Sequence, residues 1–472
     1  MSLTIHWFRQ DLRLSDNPSL SAAIENGDVL PIYILDEYNP GQHAMGEASR
    51  VWLHYSLNKL NKSLGDSLRV FSGNATDIIL DLTQKYNIKS VYWNRCYEPW
   101  RIKRDKLIKE ALHKQNIDAK SFNGSLMIEP WKFLKSDGTP YKVFTAFYKK
   151  AYLEGYFTST PILRPNHANY TKENIDCIGI DSLALLPSGK WGNNIIKGWE
   201  VGEIAAYKKL QIFLESDIKN YKEGRNFPYK ENVSRLSPHL HFGEISPRQI
   251  CDLTQSLQIE ENLGCFLSEI GWREFSYYLL YHFPDIPTDN LSLKFNRFPW
   301  IDNKELLTCW QKGATGIPIV DAGMRELWQT GYMHNRVRMI VGSFLVKNLL
   351  IHWNHGERWF WNCLFDADLA SNSCSWQWVA GCGADAAPYF RIFNPVTQGQ
   401  KFDAAGEYTR KYVPELKSLP DKYLFNPWEA PENVLSNAGI ILGTNYPKPI
   451  ADLKESRDRA LEAFTSLKDS IQ

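Results

Sequence analysis

The sequence of 472 residues lacks the patterns that mark membrane, secreted and zinc-binding proteins. No apolar run approaches the ~18 residues that a transmembrane helix needs, and the first residues do not resemble a signal peptide. The eight cysteines include no C-x-x-C pair and no zinc-knuckle spacing, which is typical of buried thiols in a reducing cytoplasm. We therefore expect a cytoplasmic protein with no membrane span and no bound metal.

An excess of one charge and the common nucleotide-binding motifs are missing as well. The 54 Lys+Arg against 53 Asp+Glu leave a net charge of +1, so any nucleic-acid site must come from a local patch. There is no G-x-G-x-x-G after the first apolar run and no Walker A loop, which argues against the usual dinucleotide site. What the sequence does have is 17 tryptophans. Tryptophan most often packs in protein cores, but this number also suggests a role in base stacking or electron transfer.

The first 125 residues alternate strand-like and helix-like segments. Short runs rich in β-branched or aromatic residues predict strands, and the segments between them have amphipathic helical spacing. The predicted strands are Leu3–Phe8, Val29–Leu35, Leu68–Phe71, Ser90–Trp93 and Ala119–Phe122, and the predicted helices are Pro18–Asn26, Glu47–Leu64, Ala75–Tyr86 and Trp100–Gln115. This alternation predicts an α/β, Rossmann-like, doubly wound parallel sheet that binds ligands at the carboxyl ends of its strands.

The rest of the chain predicts a connection followed by helices. Residues 155–200 are rich in Pro and Gly and poor in periodicity, whereas helical patterns dominate from Trp199 onward. Ser237-Pro238 and Ser246-Pro247 each suggest a Ser N-cap followed by Pro at the first helical position. Further helices are predicted at Trp310–Trp328, Asn335–Trp353 and Arg358–Leu369. We predict an α/β domain over residues 1–130, an interdomain linker over 131–198 and an all-α domain over 199–472.

Two segments carry the polar residues that a site needs. Helical spacing in 333–339 puts Asn335, Arg338 and Met339 on one face. The segment 366–378, taken alone, is more typical of an exposed helix N-terminus with Ser and Asn caps; the alternative is a polar pocket with an Arg–Asp pair, an amide and stacked indoles. No Ser-His-Asp or Cys-His arrangement supports a hydrolase. The histidines interpreted as core or surface residues rather than metal ligands are His334, His352 and His355.

Eight motifs resemble the photolyase/cryptochrome family, in its order and at its spacings. They are Trp7-Phe-Arg-Gln-Asp-Leu-Arg-Leu, Tyr141-Lys-Val-Phe-Thr, Gly224-Arg-Asn-Phe-Pro, Ser234-Arg-Leu-Ser-Pro, Glu269-Ile-Gly-Trp-Arg-Glu, Gly316-Ile-Pro-Ile-Val-Asp-Ala-Gly-Met-Arg, Met333-His-Asn-Arg-Val-Arg-Met and Ala387-Pro-Tyr-Phe-Arg-Ile-Phe-Asn-Pro. Several are six residues or longer and together they span essentially the whole chain, so the resemblance is specific.

The resemblance implies an N-terminal antenna domain and a helical domain that holds one FAD in a folded, U-shaped conformation. On matching positions, Arg338 is expected to pair with Asp366 beside the isoalloxazine, and Asn372 to face flavin N5. Plant-type sensory cryptochromes carry Asp at that position and animal ones Cys, so Asn372 favours a repair enzyme. The other positions expected to contact FAD are Tyr221, Val233, Ser234, Arg235, Leu236, Ser237, Arg273, Ala367 and Asp368.

The resemblance also implies a pocket for a flipped pair of linked pyrimidines, which needs flat apolar walls and a few hydrogen-bonding groups. The (6-4) photolyases carry a His pair at the positions of Asn335 and Met339, so cyclobutane dimers are expected here. The single-strand-specific branch usually has Tyr in place of Trp378, so duplex DNA is expected, with single strands also accepted. The expected substrate residues are Glu269, Trp272, Asn335, Arg336, Met339 and Trp378.

The resemblance also implies residues that carry electrons and residues that contact DNA. Photoreduction in the family passes through three tryptophans, which match Trp376, Trp353 and Trp300; three core indoles are the alternative. The positions expected near DNA, besides Arg336, are Arg225, Arg391, Gln398 and Lys401. The basic run 101–109 is more conspicuous, but we interpret it as a solvated helix face of the antenna domain.

The antenna chromophore is the least determined part. Tyr97-Glu-Pro-Trp-Arg101 lacks the Asn-Glu that folate-binding enterobacterial enzymes carry after the same Tyr-Glu, while Gly46-Glu-Ala-Ser-Arg-Val-Trp-Leu-His-Tyr-Ser56 resembles the branch between bacterial photolyases and plant cryptochromes. We expect methenyltetrahydrofolate, with a deazaflavin or an empty site as alternatives. Trp52 is a candidate stacking platform, although a core position in its helix is the simpler interpretation.

Two functions of different classes follow from the resemblance. The first is a light-driven lyase, in which reduced FAD (FADH⁻) donates an electron to a cyclobutane pyrimidine dimer, the ring splits and the electron returns. The second is a blue-light photoreceptor of the cryptochrome type without repair activity. Asn372, Met339 and Trp378 favour the enzyme, which we expect to act as a monomer on UV-damaged DNA.

Overall fold

The protein is described by a computed structural model that covers residues 3–158, 160–257 and 260–469. It divides into two compact units, and neither is continuous in sequence. The first consists of Met1–Lys219, Ser234–Pro284 and Phe365–Ala370, and the second of Asn220–Val233, Asp285–Leu364 and Ser371–Gln472. Each unit is built from three separate stretches of the chain, so this division does not test the domain boundaries at residues 130 and 198. Those boundaries stay a prediction.

Five parallel strands form the sheet of the first unit. They are β1 (Leu3–Phe8), β2 (Asp28–Leu35), β3 (Arg69–Ser72), β4 (Ile88–Asn94) and β5 (Asp118–Phe122), in the order β3-β2-β1-β4-β5. β1 lies between β2 and β4, with Leu3 opposite Asp28 and Trp7 opposite Trp93. Every residue of β1 is buried, as expected of a parallel strand covered on both faces. The strand order changes direction at β1 and β4, so the predicted doubly wound sheet is confirmed.

Helices connect the strands where the sequence predicts them. They are α1 (Pro18–Asn26), α2 (Glu47–Ser63), α3 (Ala75–Lys85) and α4 (Pro99–Lys114). The side chains of Asn17 and Asn74 accept backbone N–H groups at the starts of α1 and α3, which satisfies donors that the helix itself leaves free. The local caps and the apolar spacing therefore agree with the tertiary structure in this part of the chain.

The remainder is helical. The later helices are α5 (Phe144–Leu153), α6 (Trp191–Ile195), α7 (Glu203–Ile212), α8 (Tyr221–Gly224), α9 (Ser237–His241), α10 (Pro247–Thr254), α11 (Glu260–His282), α12 (Lys304–Gln311), α13 (Pro318–Thr330), α14 (Asn335–Ser343), α15 (Trp353–Cys363), α16 (Leu369–Ala380), α17 (Pro395–Phe402), α18 (Glu407–Tyr412), α19 (Asp421–Leu424), α20 (Glu432–Asn437) and α21 (Leu453–Asp469). Within the described ranges, no helix is long and apolar enough to cross a membrane.

The predicted helix Trp310–Trp328 is wrong, because the chain leaves the helical path between α12 and α13. Gly313 and Gly316 have φ of +61° and +74°, in the left-handed region that ends helices. The buried carboxylate of Asp321 then accepts the N–H groups of Thr315 and Gly316 at 2.7 and 3.0 Å. A carboxylate from the following helix thus stabilises the break, which helical periodicity alone does not reveal.

The predicted helices Asn335–Trp353 and Arg358–Leu369 are also wrong in their ends. The first stops at Ser343 and continues as a π-helical turn over Phe344–Asn348, and Leu350 then adopts a positive φ of 53°. The second begins earlier, at Trp353, and ends at Cys363. The missing signal was the cap: the His352 ring accepts the N–H of Asn354 at 3.2 Å and starts a new helix.

The two predicted serine caps have different outcomes. Ser246 is confirmed as an N-cap, since its hydroxyl accepts the N–H of Gln249 and the Gln249 side chain accepts the N–H of Ser246 in return. Ser237 is instead the first residue of α9, after Leu236. Its hydroxyl is thereby free of the capping role and donates to a carboxylate of the site described below.

Replacing Gly243 by Ala tests the packing of the chain that leaves β1. Gly243 has a φ of +66°, a Cβ there would overlap the carbonyl oxygen of Gln10, and its own carbonyl accepts Arg13 Nη1 at 2.9 Å. We expect the free energy of unfolding to fall by about 2–3 kcal/mol, as overpacking adds to strain. The matched control is Gly65→Ala, with a φ of +62° but no atom within 4 Å, which should cost only ~1–2 kcal/mol. Equal losses in urea unfolding would contradict the packing argument.

Candidate functional site

The loop before α16 presents two carboxylates within the first unit. Asp366 accepts a hydrogen bond from the Ser237 hydroxyl at 2.5 Å, and Asp368 accepts one from the Tyr277 hydroxyl. Asp368 also lies 3.9 Å from Nδ1 of His241. Burial by itself raises the pKa of Asp368, but its neighbours, His241 first, outweigh burial and lower that pKa to about 2. The carboxylate is therefore charged throughout the neutral range.

A buried carboxyl on α11 fastens the loop 125–128 beside Arg273. Glu274 accepts the N–H groups of Met127 and Ile128 at 2.8 and 3.1 Å, and Arg273 Nη1 donates to the Ser125 carbonyl at 2.9 Å. Burial raises the pKa of Glu274 to about 7, although these donors act against the rise. Arg273, a predicted FAD residue, thus has its guanidinium held by backbone within its own unit.

The same helix carries two predicted substrate residues. Trp272 stacks face to face on Phe144, with ring centroids 3.8 Å and planes 11° apart, and contacts Phe275 edge-on. Because Phe144 covers one face of the indole, Trp272 has a single face left for a base. Glu269 lies one turn earlier and is half-buried. Phe144 belongs to the family motif that begins at Tyr141. That motif was the sequence feature that could have indicated the aromatic support of Trp272.

α14 of the second unit presents Arg336 and Met339. His334 caps the helix, since its Nδ1 accepts the N–H of Arg336 at 3.2 Å, which confirms a core role for this histidine. Arg336 donates to the Asn226 side chain, lies 4.4 Å above the Phe402 ring and contacts the Met339 sulfur at 3.9 Å. The part of the chain that the structure describes contains no cluster of metal-ligating side chains.

The other two residues predicted on this helix face differ in exposure. Asn335 is exposed and Arg338 is half-buried. Arg338 Nε donates to the Met333 carbonyl at 2.7 Å, which fixes the start of its side chain. Its pairing with Asp366 stays a prediction.

Asn372 is buried and its orientation is set by α15. The side-chain nitrogen of Asn372 donates to the backbone carbonyl of Glu357 at 3.0 Å, so the side-chain oxygen is the end left to meet a ligand. The Glu357 carboxyl lies 3.4 Å from the Ser373 hydroxyl, and burial raises its pKa to about 7. The Glu357 carboxyl therefore holds a proton until the pH approaches neutrality.

The three tryptophans expected to carry electrons lie in the second unit, Trp376 against Trp310 and Phe360, and Trp353 and Trp300 on either side of His352. Trp376 packs over Gly356, where a Cβ would overlap the indole. Trp353 is fully buried and donates from Nε1 to Asn290 at 2.8 Å. His352 stacks on Trp353 at 5.4 Å and meets Trp300 edge-on at 5.0 Å. Sequence reasoning missed that this histidine joins the two outer indoles.

Burial lowers the pKa of His352 to about 4. Its Nδ1 already accepts a backbone N–H at the positive end of α15, so protonation there would break a cap and oppose the helix dipole. The ring between the two indoles is therefore neutral near pH 7.

The residues expected near DNA are held by aromatic rings in the same unit. Arg225 lies 5.5 Å above Tyr221, and Lys401 lies 5.2 Å above Phe402. Phe227 and Phe402 are 6.1 Å apart, so the Gly224-Arg-Asn-Phe-Pro motif contacts α17. On the chain that leads to and along α17, Arg391 is exposed and Gln398 is half-buried.

A second group of charged and aromatic residues lies at the carboxyl edge of the sheet. Arg9 is paired with Asp105 at 2.6 Å and Arg104 with Asp36 at 3.1 Å. The Arg104 guanidinium lies 4.6 Å from the centroid of Trp7. The interpretation of residues 101–109 as a solvated face is therefore wrong for Arg104, which is buried by these ion pairs.

Trp52 is confirmed as a core residue. It is fully buried, its Nε1 donates to Glu244 at 3.2 Å, and its ring is enclosed by Trp199, His239 and Phe365 at 5.1–5.4 Å. No face of this indole is open to a folate, so the suggested stacking platform is wrong.

Comparison with known proteins covers both parts of the chain. Residues 4–166 match the family described as DNA photolyase, and residues 266–466 match the FAD binding domain of DNA photolyase. A deoxyribodipyrimidine photo-lyase of Agrobacterium fabrum is 45% identical over 98% of both chains, and cryptochrome-1 of Arabidopsis thaliana is 36% identical over 98% of this chain and 70% of that protein. A class III photolyase from Agrobacterium tumefaciens has a TM-score of 0.95 at 44% identity, covering 99% of this chain and 98% of that one.

The fold and these matches define the class: a flavoprotein with a parallel α/β domain followed by a helical FAD-binding domain. The chain belongs to the photolyase/cryptochrome family, which confirms the resemblance carried by the eight motifs.

Glu357→Gln tests the protonated carboxyl beside Asn372. Because folding raises the pKa of Glu357 from 4.5 to about 7, its stabilising contribution is complete below about pH 4.5 and is lost as the pH rises through about 7. Glutamine cannot ionise, so the stability of the variant relative to the wild type should improve by about 2–3 kcal/mol between pH 5 and pH 8. Urea unfolding of both proteins checks this, and parallel pH profiles would contradict it.

Proposed function

We propose that the protein is a deoxyribodipyrimidine photo-lyase, a light-dependent carbon-carbon lyase that splits cyclobutane pyrimidine dimers in DNA. The observation that carries the proposal is the orientation of Asn372, whose nitrogen is committed to a backbone carbonyl and whose oxygen is left for a ligand. A neutral amide accepts a hydrogen bond from a reduced flavin but has no acidic proton to deliver. That chemistry suits a cofactor that returns unchanged after each repair.

The side chains present fit FAD. The Ser237 hydroxyl, the Asp366 and Asp368 carboxylates and the Asn372 amide offer the mixture of donors and acceptors that a ribityl chain and a flavin edge require. When bound in its reduced form, FAD supplies the light-driven electron. The residues that we propose hold it are Tyr221, Val233, Ser234, Arg235, Leu236, Ser237, Arg273, Arg338, Asp366, Ala367, Asp368 and Asn372.

The substrate is proposed to be a dimer flipped out of the DNA stack. We propose that Trp272, which Phe144 supports from behind, stacks on a base of the dimer, and that Trp378 is a further stacking residue. A stacked base is worth ~1–3 kcal/mol, so stacking compensates part of the cost of flipping. Glu269 and Asn335 supply hydrogen bonds at the dimer edge, and Met339 fills the apolar end.

DNA affinity is proposed to come from a local basic rim, because the net charge of the whole chain is only +1. Arg336 is held by Asn226 and Phe402 in a fixed orientation, which reduces the entropy lost on binding a phosphate. The remaining positions proposed for this rim are Arg225, Arg391, Gln398 and Lys401. We propose that a monomer binds damaged duplex DNA in the cytoplasm and also accepts single strands.

Trp376, Trp353 and Trp300 are proposed to carry the electron that reduces oxidised FAD in light. The Asn290 side-chain oxygen accepts a hydrogen bond from the Trp353 N–H group, but a neutral amide is too weak a base to remove that proton. Trp353 therefore keeps its proton while an electron passes. His352 fills the space between the outer two indoles with a neutral aromatic ring.

A second, light-harvesting chromophore is also proposed, with methenyltetrahydrofolate favoured over a deazaflavin. Ligands of doubly wound folds bind at the carboxyl edge of the sheet. There, half-buried Trp100 lies within 5.0 Å of both the Arg101 and Arg104 guanidinium groups. This edge replaces Trp52 as the proposed location.

The alternative function is a blue-light photoreceptor without repair activity. Its support is the 36% identity to cryptochrome-1 along nearly the whole of this chain. A receptor of this kind would bind and reduce flavin but leave dimers intact, so a repair assay distinguishes the two functions.

The direct test of the proposed function is repair by purified protein reduced in the dark. UV-irradiated oligothymidine is added, and recovery of base absorbance is followed under blue light. Recovery that needs both light and protein establishes the lyase, and the action spectrum then shows which antenna is bound. Bound, reducible flavin without recovery would support the photoreceptor or a different lesion instead.

Trp353→Phe tests the proposed electron route separately from repair. Phenylalanine keeps an aromatic ring but is much harder to oxidise, so light-driven reduction of oxidised flavin should slow at least ~10-fold, a barrier increase of ~1.4 kcal/mol. Repair by chemically reduced enzyme should be nearly unchanged. Trp93→Phe, a buried indole of the sheet, is the control and should affect neither rate. Equal loss of both activities in the Trp353 variant would refute the assignment.

A further inference from the structure

The segment between α16 and α17 contains an exposed apolar and basic pair, Phe390 and Arg391. Phe390 is 69% exposed and Arg391 follows it, whereas Tyr389, immediately before, is 3% exposed. Arg391 is one of the residues proposed to contact DNA. The position of this pair therefore depends on how the buried Tyr389 is held.

Tyr389 is held by aromatic stacking and by one buried lysine. Its ring stacks on Phe464, with centroids 4.5 Å and planes 7° apart. Lys347 Nζ lies 3.4 Å from the centroid of the Tyr389 ring and donates to the Tyr389 carbonyl at 3.3 Å. The same nitrogen donates to the carbonyl of Ala380, the last residue of α16, at 3.4 Å. One ammonium group thus joins the end of α16 to Tyr389.

The backbone conformation explains how a lysine reaches this place. Lys347 belongs to the π-helical turn Phe344–Asn348, whose wider path is closed by the Leu349 N–H bonding to the Phe344 carbonyl. Such turns are rare in proteins and frequently lie at functional sites. The Lys347 side chain is 1% exposed, so neither solvent nor a mobile surface orientation accounts for its contacts.

The surroundings of Lys347 make its charge expensive to keep. No carboxylate is paired with it in the described residues, and burial lowers its pKa to about 7. The titratable or charged groups on neighbouring elements do not supply a negative charge either. Two are weak acids, the Cys382 thiol, whose pKa burial raises to about 12, and the Tyr389 phenol, whose pKa burial also raises. The other two are cations, Lys294 above Phe464 and Arg459, which donates to the Asn348 carbonyl.

We propose that Lys347 is a positioning residue for DNA binding: through Ala380 and Tyr389 it holds the Phe390–Arg391 tip in the orientation that meets damaged DNA. The proposal rests on the function proposed above. A lysine needed only for packing is readily replaced by methionine, since the two chains have similar length and methionine adapts to irregular spaces. A lysine that positions the tip acts through its cation and its two hydrogen bonds, which methionine lacks.

The test compares Lys347→Met with the wild type in two assays. Dark binding of UV-irradiated duplex oligothymidine should weaken roughly tenfold, the size expected for losing a buried cation–π contact and its hydrogen bonds. The flavin spectrum and the repair yield per photon at saturating substrate should stay at wild-type values. Ser456→Ala, which removes the bond to Asn348 on the same π-helical turn, is the control and should leave binding unchanged. Wild-type affinity in the Lys347 variant would overturn the proposal.

A second assay needs no substrate and so separates this proposal from the proposed function. Tryptic cleavage after Arg391, identified by mass spectrometry, should be several-fold faster in Lys347→Met than in the Ser456→Ala control. Between pH 6 and pH 8.5 the ratio of the Lys347→Met rate to the wild-type rate should fall towards one, because the wild-type ammonium group loses its proton over this range. Equal cleavage at all pH values would refute the positioning role even if repair were established.

If Lys347→Met does not fold, Tyr389→Leu answers the same question. It keeps a large apolar side chain against Phe464 but removes the ring that faces the ammonium group. Weaker binding together with faster cleavage after Arg391 supports the proposal, and wild-type behaviour in both assays overturns it.

Discussion

The requirement that buried polar groups find partners governs how this protein arranges its functional loops. In the first unit, the Glu244 carboxylate accepts hydrogen bonds from the Trp52 indole and the Ser56 hydroxyl of α2 and is also hydrogen-bonded to the ring of His239. In the second unit, Asp321 accepts two backbone N–H groups and the Tyr446 hydroxyl. An unsatisfied buried group costs ~1–3 kcal/mol, so each of these carboxylates allows one main conformation for the chain around it.

The same requirement applies to the residues proposed to contact the cofactor and to carry electrons. Asn372 has its amide orientation set by a backbone carbonyl, and Trp353 has its N–H satisfied by an amide that cannot take the proton. Rigid support of this kind is what a light-driven reaction needs, because an electron must move before the excited state decays. Preorganised partners remove the reorganisation that flexible side chains would otherwise require.

Repair enzymes and photoreceptors of this family share a fold, so the fold alone does not distinguish them. At position 372 an amide offers hydrogen bonding without acidity. At positions 335 and 339 the absence of histidine leaves a surface that is partly polar and partly apolar, with Asn335 exposed and Met339 against Arg336. The proposed preference for repair of cyclobutane dimers over signalling draws on these three positions.

The sequence by itself determined the sheet, the helices between its strands and the family, because local periodicity, caps and long motifs all act over short stretches of chain. Through those motifs it also predicts the site residues, which stay a prediction. Only the tertiary structure decided the break between α12 and α13, the end of α14 at the π-helical turn, the burial of Arg104, the covering of Trp272 by Phe144 and the place of His352 between two indoles. The physical reason is that most of these features depend on partners far away in sequence, which leave no trace in the spacing of nearby residues: Phe144 lies far along the chain from Trp272, and Lys347 from Ala380 and Tyr389. Asp321 is close in sequence to Thr315 and Gly316, but its contact is a polar one that apolar helical spacing does not report.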